Sequence, residues 1–82
     1  MKVTDLILSL ELIADKVDMV GHDMQIHMIS DLSNKLKNRP ITTATGDWNA
    51  DEIVAELDRV SIKEIGVSYE LRNVAEKLKG WE

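Results

Sequence analysis

The residues whose types and spacing are most suggestive of chemistry lie in the segment HDMQIHMISD, which holds both histidines of the chain. Asp23, His27 and Asp31 follow one another at intervals of four residues, so on a helix their side chains share one face. A carboxylate–imidazole face of this kind can bind a divalent metal or orient a histidine for proton transfer. Two carboxylates and one imidazole on a single helix are nevertheless an incomplete site. An acid–histidine–acid ladder on a solvated or interfacial face is the more usual arrangement, and we predict no metal, no cofactor and no catalytic residue.

A second group of chemically interesting residues is acidic. Its members are Asp47, Asp51, Glu52, Glu56 and Asp58. Such a cluster could contact a basic partner or mimic a nucleic-acid backbone, but more often it is a helix start followed by a solvated face. The sequence contains no glycine-rich phosphate loop, nucleophile elbow or paired-carboxylate constellation. It also lacks cysteine, which excludes thiolate metal sites. We therefore predict that the protein is not an enzyme.

The methionines form a third group. Flexible side chains such as Met19, Met24 and Met28 can bind varied partners when they lie at a surface. Filling of an aliphatic core is their more usual role. The core of this chain must be aliphatic, because the sequence has two Trp, one Tyr and no Phe.

The segment SIKEIGVSYELRNVAEKLKGW, residues 61–81, contains the tripeptide Gly66-Val67-Ser68. This tripeptide resembles the turn of many helix-turn-helix regulators, and the resemblance covers roughly a quarter of the chain. It implies a DNA-binding regulator in which Tyr69, Arg72 and Asn73 face the major groove.

The segment departs from the pattern of that family at two positions. Ile62 stands where a small residue is usual, and Arg72 stands where a branched apolar residue is usual. Glu70 and Glu76 on the same helix would also repel phosphates. The alternative is a helix corner in which Ser68 is the N-cap of a packing helix.

The length and the net charge of the chain limit the classes of protein to which it can belong. The 82 residues allow one domain, residues 1–82, and a domain this short buries only about 60% of its unfolded surface. The net charge is −5, and no segment has the basic surplus that phosphate binding needs. The apolar runs are far too short to span a bilayer, and the N-terminal residues start a helix rather than a signal peptide. We expect a cytoplasmic protein with no membrane or nucleic-acid partner.

Hydrophobic periodicity places helices along the chain. The first follows a stripe with alternating spacings of three and four residues: Val3, Leu6, Leu10, Ile13, Val17, Val20 and Met24. Gly21 favours a break near residues 20–22, and a second helix over about 23–37 ends before Pro40. Asn49 is a suitable N-cap for a third helix over about 50–59. The intervening residues 41–45 favour a loop or a short edge strand.

The last part of the chain predicts one more long helix. Ser61 to Glu64 repeats the spacing of a capping box, which indicates either a short helical turn with Ile62 and Ile65 or a strand. Ser68 then caps the final helix. The apolar stripe of that helix contains Val67, Leu71, Val74, Leu78 and Trp81.

These elements predict an all-α fold, a small four-helix bundle whose first two helices form a hairpin. Two heptad stripes offer more apolar surface than one such core can bury, so we expect self-association, most simply a two-fold dimer. The predicted interface residues are Leu6, Leu10, Ile13, Val17, Leu71, Val74, Leu78 and Trp81. The expected function is a non-enzymatic interaction or scaffold module, and a partner with a basic surface would suit its acidic cluster. The alternative is a small DNA-binding regulator that uses residues 61–79.

Overall fold

The computed structural model describes all 82 residues, and helices account for 66% of them. The elements are α1 (Val3–Val17), α2 (His22–Leu36), β1 (Pro40–Thr43), β2 (Gly46–Asn49), α3 (Asp51–Ser61) and α4 (Val67–Lys79). The predicted four helices are therefore confirmed, including the break beside Gly21. The fold is not a clean all-α bundle, because β1 and β2 form a small antiparallel sheet between α2 and α3.

The β-hairpin is held by one buried side chain and by the start of the chain. Ile41 is fully buried and lies opposite Trp48 in the register of the two strands. The backbone N–H of Thr42 donates a hydrogen bond of 2.8 Å to the carbonyl of Met1. Pro40 is the first residue of β1, where its missing backbone N–H is tolerated, and Gly46 supplies the positive φ of 128° at the turn. Ile41, the buried apolar side chain of the hairpin, thus anchors it on the core.

The helices pack as two antiparallel pairs. α1 packs mainly on α4, and α2 packs mainly on α3. The end of α1 at Val17 lies beside Val67, and its start at Val3 lies near Glu82, so α1 and α4 run in opposite directions. The predicted hairpin of α1 and α2 is only a minor contact. The reason is that the apolar stripe of α1 faces the stripe of α4, which is far away in sequence.

The residues that we predicted as a self-association interface lie mostly in the core of the single chain. Leu6, Leu10, Leu71 and Leu78 are fully buried, and Val17 and Val74 are nearly so. Ile13 and Trp81 are partly buried and pack against this core. These eight side chains are therefore covered within the single chain, whereas Val20 and Met24 at the end of the first stripe are exposed.

Helix ends differ from the sequence prediction at two serines. α4 begins at Val67, after Gly66 with a left-handed φ of 75°, so Ser68 is inside the helix and is not its N-cap. The Ser68 hydroxyl instead donates a 3.0 Å hydrogen bond to the carbonyl of Ala14 and so joins α4 to α1. Ser61 is the last residue of α3, and the predicted helical turn or strand after it is absent. The N-cap of α3 is Ala50 rather than the predicted Asn49, whose Oδ1 accepts a 2.7 Å hydrogen bond from the N–H of Asp51 just before the helix.

Candidate functional site

The acid–histidine–acid ladder lies on the outer face of α2. Asp23, His27 and Asp31 are all exposed. No group of three or more His, Cys, Asp or Glu side chains in the structure comes close enough to hold a metal ion.

None of the four helices combines the length and the apolar character required to cross a bilayer.

The geometry of α3 and α4 bears on the helix-turn-helix resemblance. Arg59 forms a 3.0 Å ion pair with Glu70 near the connection, and Lys77 forms one with Glu52 at the far end. About two helical turns separate the paired residues within each helix, so ion pairs link α3 and α4 at both ends of that stretch. These are the two helices that the resemblance assigns to a helix-turn-helix.

Basic residues of α3, α4 and the connection between them are already paired with acids. Arg59, Lys63, Arg72, Lys77 and Lys79 form ion pairs, which are five of the ten cations of the chain. Tyr69, Arg72 and Asn73 are exposed on α4, as groove contact would require. Arg72, however, is held by Asp15 of α1. The face that the resemblance assigns to DNA therefore offers little free positive charge to phosphates.

Glu70 is the centre of an ion-pair network with two cations. Its side chain is only 20% exposed and lies between Lys63 and Arg59. The hydrogen bond from Lys63, followed by the one from Arg59, lowers the pKa of Glu70 below its ordinary value of 4.5. A carboxylate with a lowered pKa stabilises the fold above its unfolded pKa, and that stabilisation is lost as the pH falls through the folded pKa.

We predict that Glu70→Gln destabilises the protein at pH 7 and that the difference from wild type vanishes in acid. The difference should be full above pH 4.5 and should shrink as the carboxylate of the wild type becomes protonated. Urea unfolding followed by circular dichroism from pH 7 down to acid tests this. Glu76→Gln is the control, because Glu76 is on the same helix, is highly exposed and pairs only with Lys79. Equal effects of the two substitutions at pH 7 would contradict the prediction.

The acidic cluster is divided among separate structural roles. Glu52 and Glu56 both pair with Lys77, and the hydrogen bond from Lys77 to Glu52 is the main cause that raises the pKa of Lys77 above 10.5. Asp58 Oδ1 accepts a 2.7 Å hydrogen bond from the fully buried Ser33. Only two members, Asp47 and Asp51, remain together, at an open polar cleft beside the hairpin. The cluster is therefore not one continuous acidic surface.

The two tryptophans stack at the hairpin. The rings of Trp48 and Trp81 lie with centroids 5.4 Å apart at 22°, and the indole N–H of Trp48 donates a 2.9 Å hydrogen bond to Thr43 Oγ1. Stacking of this kind typically contributes about 0.5–1.5 kcal/mol beyond simple burial. It joins the C-terminal end of the chain to β2, a contact that the sequence alone did not predict.

Besides Trp48 and Tyr69, the exposed large apolar side chains lie at two places, which are the candidate interaction surfaces. The first, the outer α1 face, consists of Leu8 and Leu12 on successive turns, at 64% and 55% exposure. The second, the loop-end surface, lies at the end of the molecule where the α1–α2 and α3–α4 connections meet. Its exposed apolar residues lie in these connections or in the first turn of α2: Met19, Val20, Met24, Ile62 and Ile65. Met28, the remaining methionine of the predicted set, is half-buried.

No family model, curated protein or solved structure gives a significant match to this chain. Functional inference therefore starts from these surfaces.

Proposed function

We propose that the protein is a small non-enzymatic interaction module that self-associates. The observation that supports this proposal is the outer α1 face. Leu8 and Leu12 point away from the core that Leu6 and Leu10 occupy, and no other part of the chain covers them. Burying an exposed leucine side chain contributes about 1.5–3 kcal/mol, which gives two copies a reason to pair there.

The charges beside these leucines suit a two-fold arrangement. Asp5 and Lys16 lie on the same flank of α1, one turn or less beyond the two leucines, and neither forms an ion pair within the chain. If two α1 helices pack antiparallel about a two-fold axis, Leu8 of one copy meets Leu12 of the second copy. The same arrangement brings Asp5 of each copy beside Lys16 of the other. Because only two leucines per copy are involved, the interface is small and the association is weak.

We predict that charge reversal will weaken the dimer and that a double reversal will restore it. Asp5→Lys alone and Lys16→Asp alone each place like charges across the two-fold axis, whereas the double variant exchanges the signs and recovers the pairs. Sedimentation from about 10 µM to about 1 mM, which brackets the affinity expected for so small an interface, measures the association.

Leu8→Ser tests the apolar contact in the same experiment. It should abolish the association, because it removes one of the two leucines of the proposed interface. Far-ultraviolet circular dichroism of each variant checks that α1 remains folded. A 9.3 kDa monomer for the wild type throughout this range would refute self-association. Association that is unaffected by all four variants would place the interface elsewhere.

A DNA-binding role has less support. The ion pairs of Arg59, Lys63 and Arg72 argue against it, because they leave little free positive charge for phosphates. We expect no retardation of bulk DNA in a gel at low ionic strength, where phosphate binding is strongest. A shift that disappears as salt is added would support the regulator instead.

A further inference from the structure

The loop-end surface presents the most exposed large apolar side chains of the molecule. Ile65 is 84% exposed, and Ile62 and Met19 are also mostly exposed. These residues stand in the short connections α1–α2 (residues 18–21) and α3–α4 (residues 62–66). The two connections lie at the same end of the molecule, because residues of both line one groove. Exposed large apolar side chains on both connections indicate a binding surface there.

The connection that carries the two isoleucines is held in place. The amide Nε2 of Gln25, a nearly buried residue of α2, donates hydrogen bonds to the carbonyls of Ser61 at 3.2 Å and Lys63 at 2.7 Å. Ile62 lies between these two anchor points. A partner that binds a surface already fixed in this way pays less ordering entropy than one that binds a loose loop.

A groove of about 460 Å³ separates the two connections. Val17 and Val67 are its buried apolar residues, and Val20 adds an exposed one. Asp18 lines it from the α1–α2 connection and Glu64 from the α3–α4 connection. Both carboxylates are exposed, and neither forms an ion pair.

We propose that the loop-end surface docks a positively charged amphipathic helical segment of a partner protein. Its apolar side chains would pack against Ile62, Ile65 and the adaptable Met19, while its Lys or Arg residues would pair with Asp18 and Glu64. The neighbouring cation, Lys63, is already neutralised by Glu70. The acidic rim disfavours pairing of two copies through this end, since like charges would meet. This surface is separate from the outer α1 face, so its role goes beyond self-association.

The proposal can be tested with a synthetic helical peptide of about four turns that contains only Leu and Lys, with the leucines on one face. We expect saturable binding of one peptide per chain, measured by fluorescence anisotropy, which weakens as salt rises. A peptide of the same pattern with Glu in place of Lys should not bind. Ile65→Ser should reduce the affinity about fivefold or more.

Two double variants with the same change in net charge show where on the protein the peptide binds. Asp18→Asn combined with Glu64→Gln should reduce the affinity, whereas Asp47→Asn combined with Asp51→Asn, which changes the net charge equally beside the hairpin, should not. Equal losses in both double variants, or no binding of the Leu–Lys peptide, would overturn the proposal. So would loss of self-association in Ile65→Ser, because that result would make a second copy the occupant. The α1 variants test self-association independently, so failure of one proposal does not imply failure of the other.

Discussion

Replacing Leu10 by alanine should lower the free energy of unfolding by about 2–5 kcal/mol, whereas Leu12→Ala should change it by about 0.5 kcal/mol or less. Both residues are leucines of α1, two positions apart. Leu10 is fully buried, and Leu12 is 55% exposed. Both substitutions remove the same atoms from the same helix. The difference between their effects on the free energy of unfolding therefore measures the contribution of side-chain burial.

The size of the Leu10 effect follows from its surroundings. Leu10 belongs to the core cluster that also contains Leu71 and Leu78 of α4. Truncation removes apolar contacts and leaves a cavity between α1 and α4 that the packed helices can close only in part. A small domain has a total stability of about 5–15 kcal/mol, so the variant loses a large share of it.

Urea unfolding followed by circular dichroism measures both variants at a protein concentration where the chain is monomeric. If Leu10→Ala left this stability unchanged and only weakened self-association, Leu10 would be an interface residue, as its heptad position first indicated. Similar destabilisation by Leu10→Ala and Leu12→Ala would also contradict the packing described here.

The sequence predicts which faces of α1 and α4 are apolar, but it does not predict what covers them. Spacings of three and four residues put Leu6, Leu10, Leu71 and Leu78 on helical stripes, and all four are buried. A stripe of this kind is equally compatible with a second copy and with a distant helix of the same chain. The choice depends on tertiary packing. The surplus of apolar surface that suggested a dimer is largely used within the chain.

Features that depend on contacts between distant residues were not predictable. Ser68 has the residue type and position of an N-cap, but its hydroxyl bonds to Ala14, 54 positions away. Gln25 reads as an ordinary polar residue of α2, yet it is nearly buried and bonds to backbone groups 36 and 38 positions later. Ile62 and Ile65 lie in the α3–α4 connection after Ser61, and the capping-box spacing at Ser61 did not indicate that both side chains are exposed. The loop-end surface could therefore be found only in the folded structure.

Gln25→Ala should destabilise the protein by about 1–3 kcal/mol, because it leaves the carbonyls of Ser61 and Lys63 without their donor. Gln25→Glu should be more damaging at pH 7, by about 3–5 kcal/mol, although its side chain has nearly the same shape. The introduced carboxylate cannot donate a hydrogen bond, and it places a negative charge against two carbonyl oxygens at a position that is only 8% exposed.

The pH dependence of these variants distinguishes a lost donor from a simple loss of packing. Burial beside two carbonyls raises the pKa of the introduced carboxyl above its unfolded value of about 4.3. The Glu variant is therefore most stable, relative to wild type, below that unfolded value, and it loses stability as the pH rises through the folded pKa. In acid the protonated carboxyl can donate one hydrogen bond, so the Glu variant should approach wild type, while the deficit of Gln25→Ala stays constant with pH. Parallel urea unfolding of the three proteins between pH 4 and pH 8 would show this, and a constant deficit for Gln25→Glu would mean that Gln25 does not hold the α3–α4 connection.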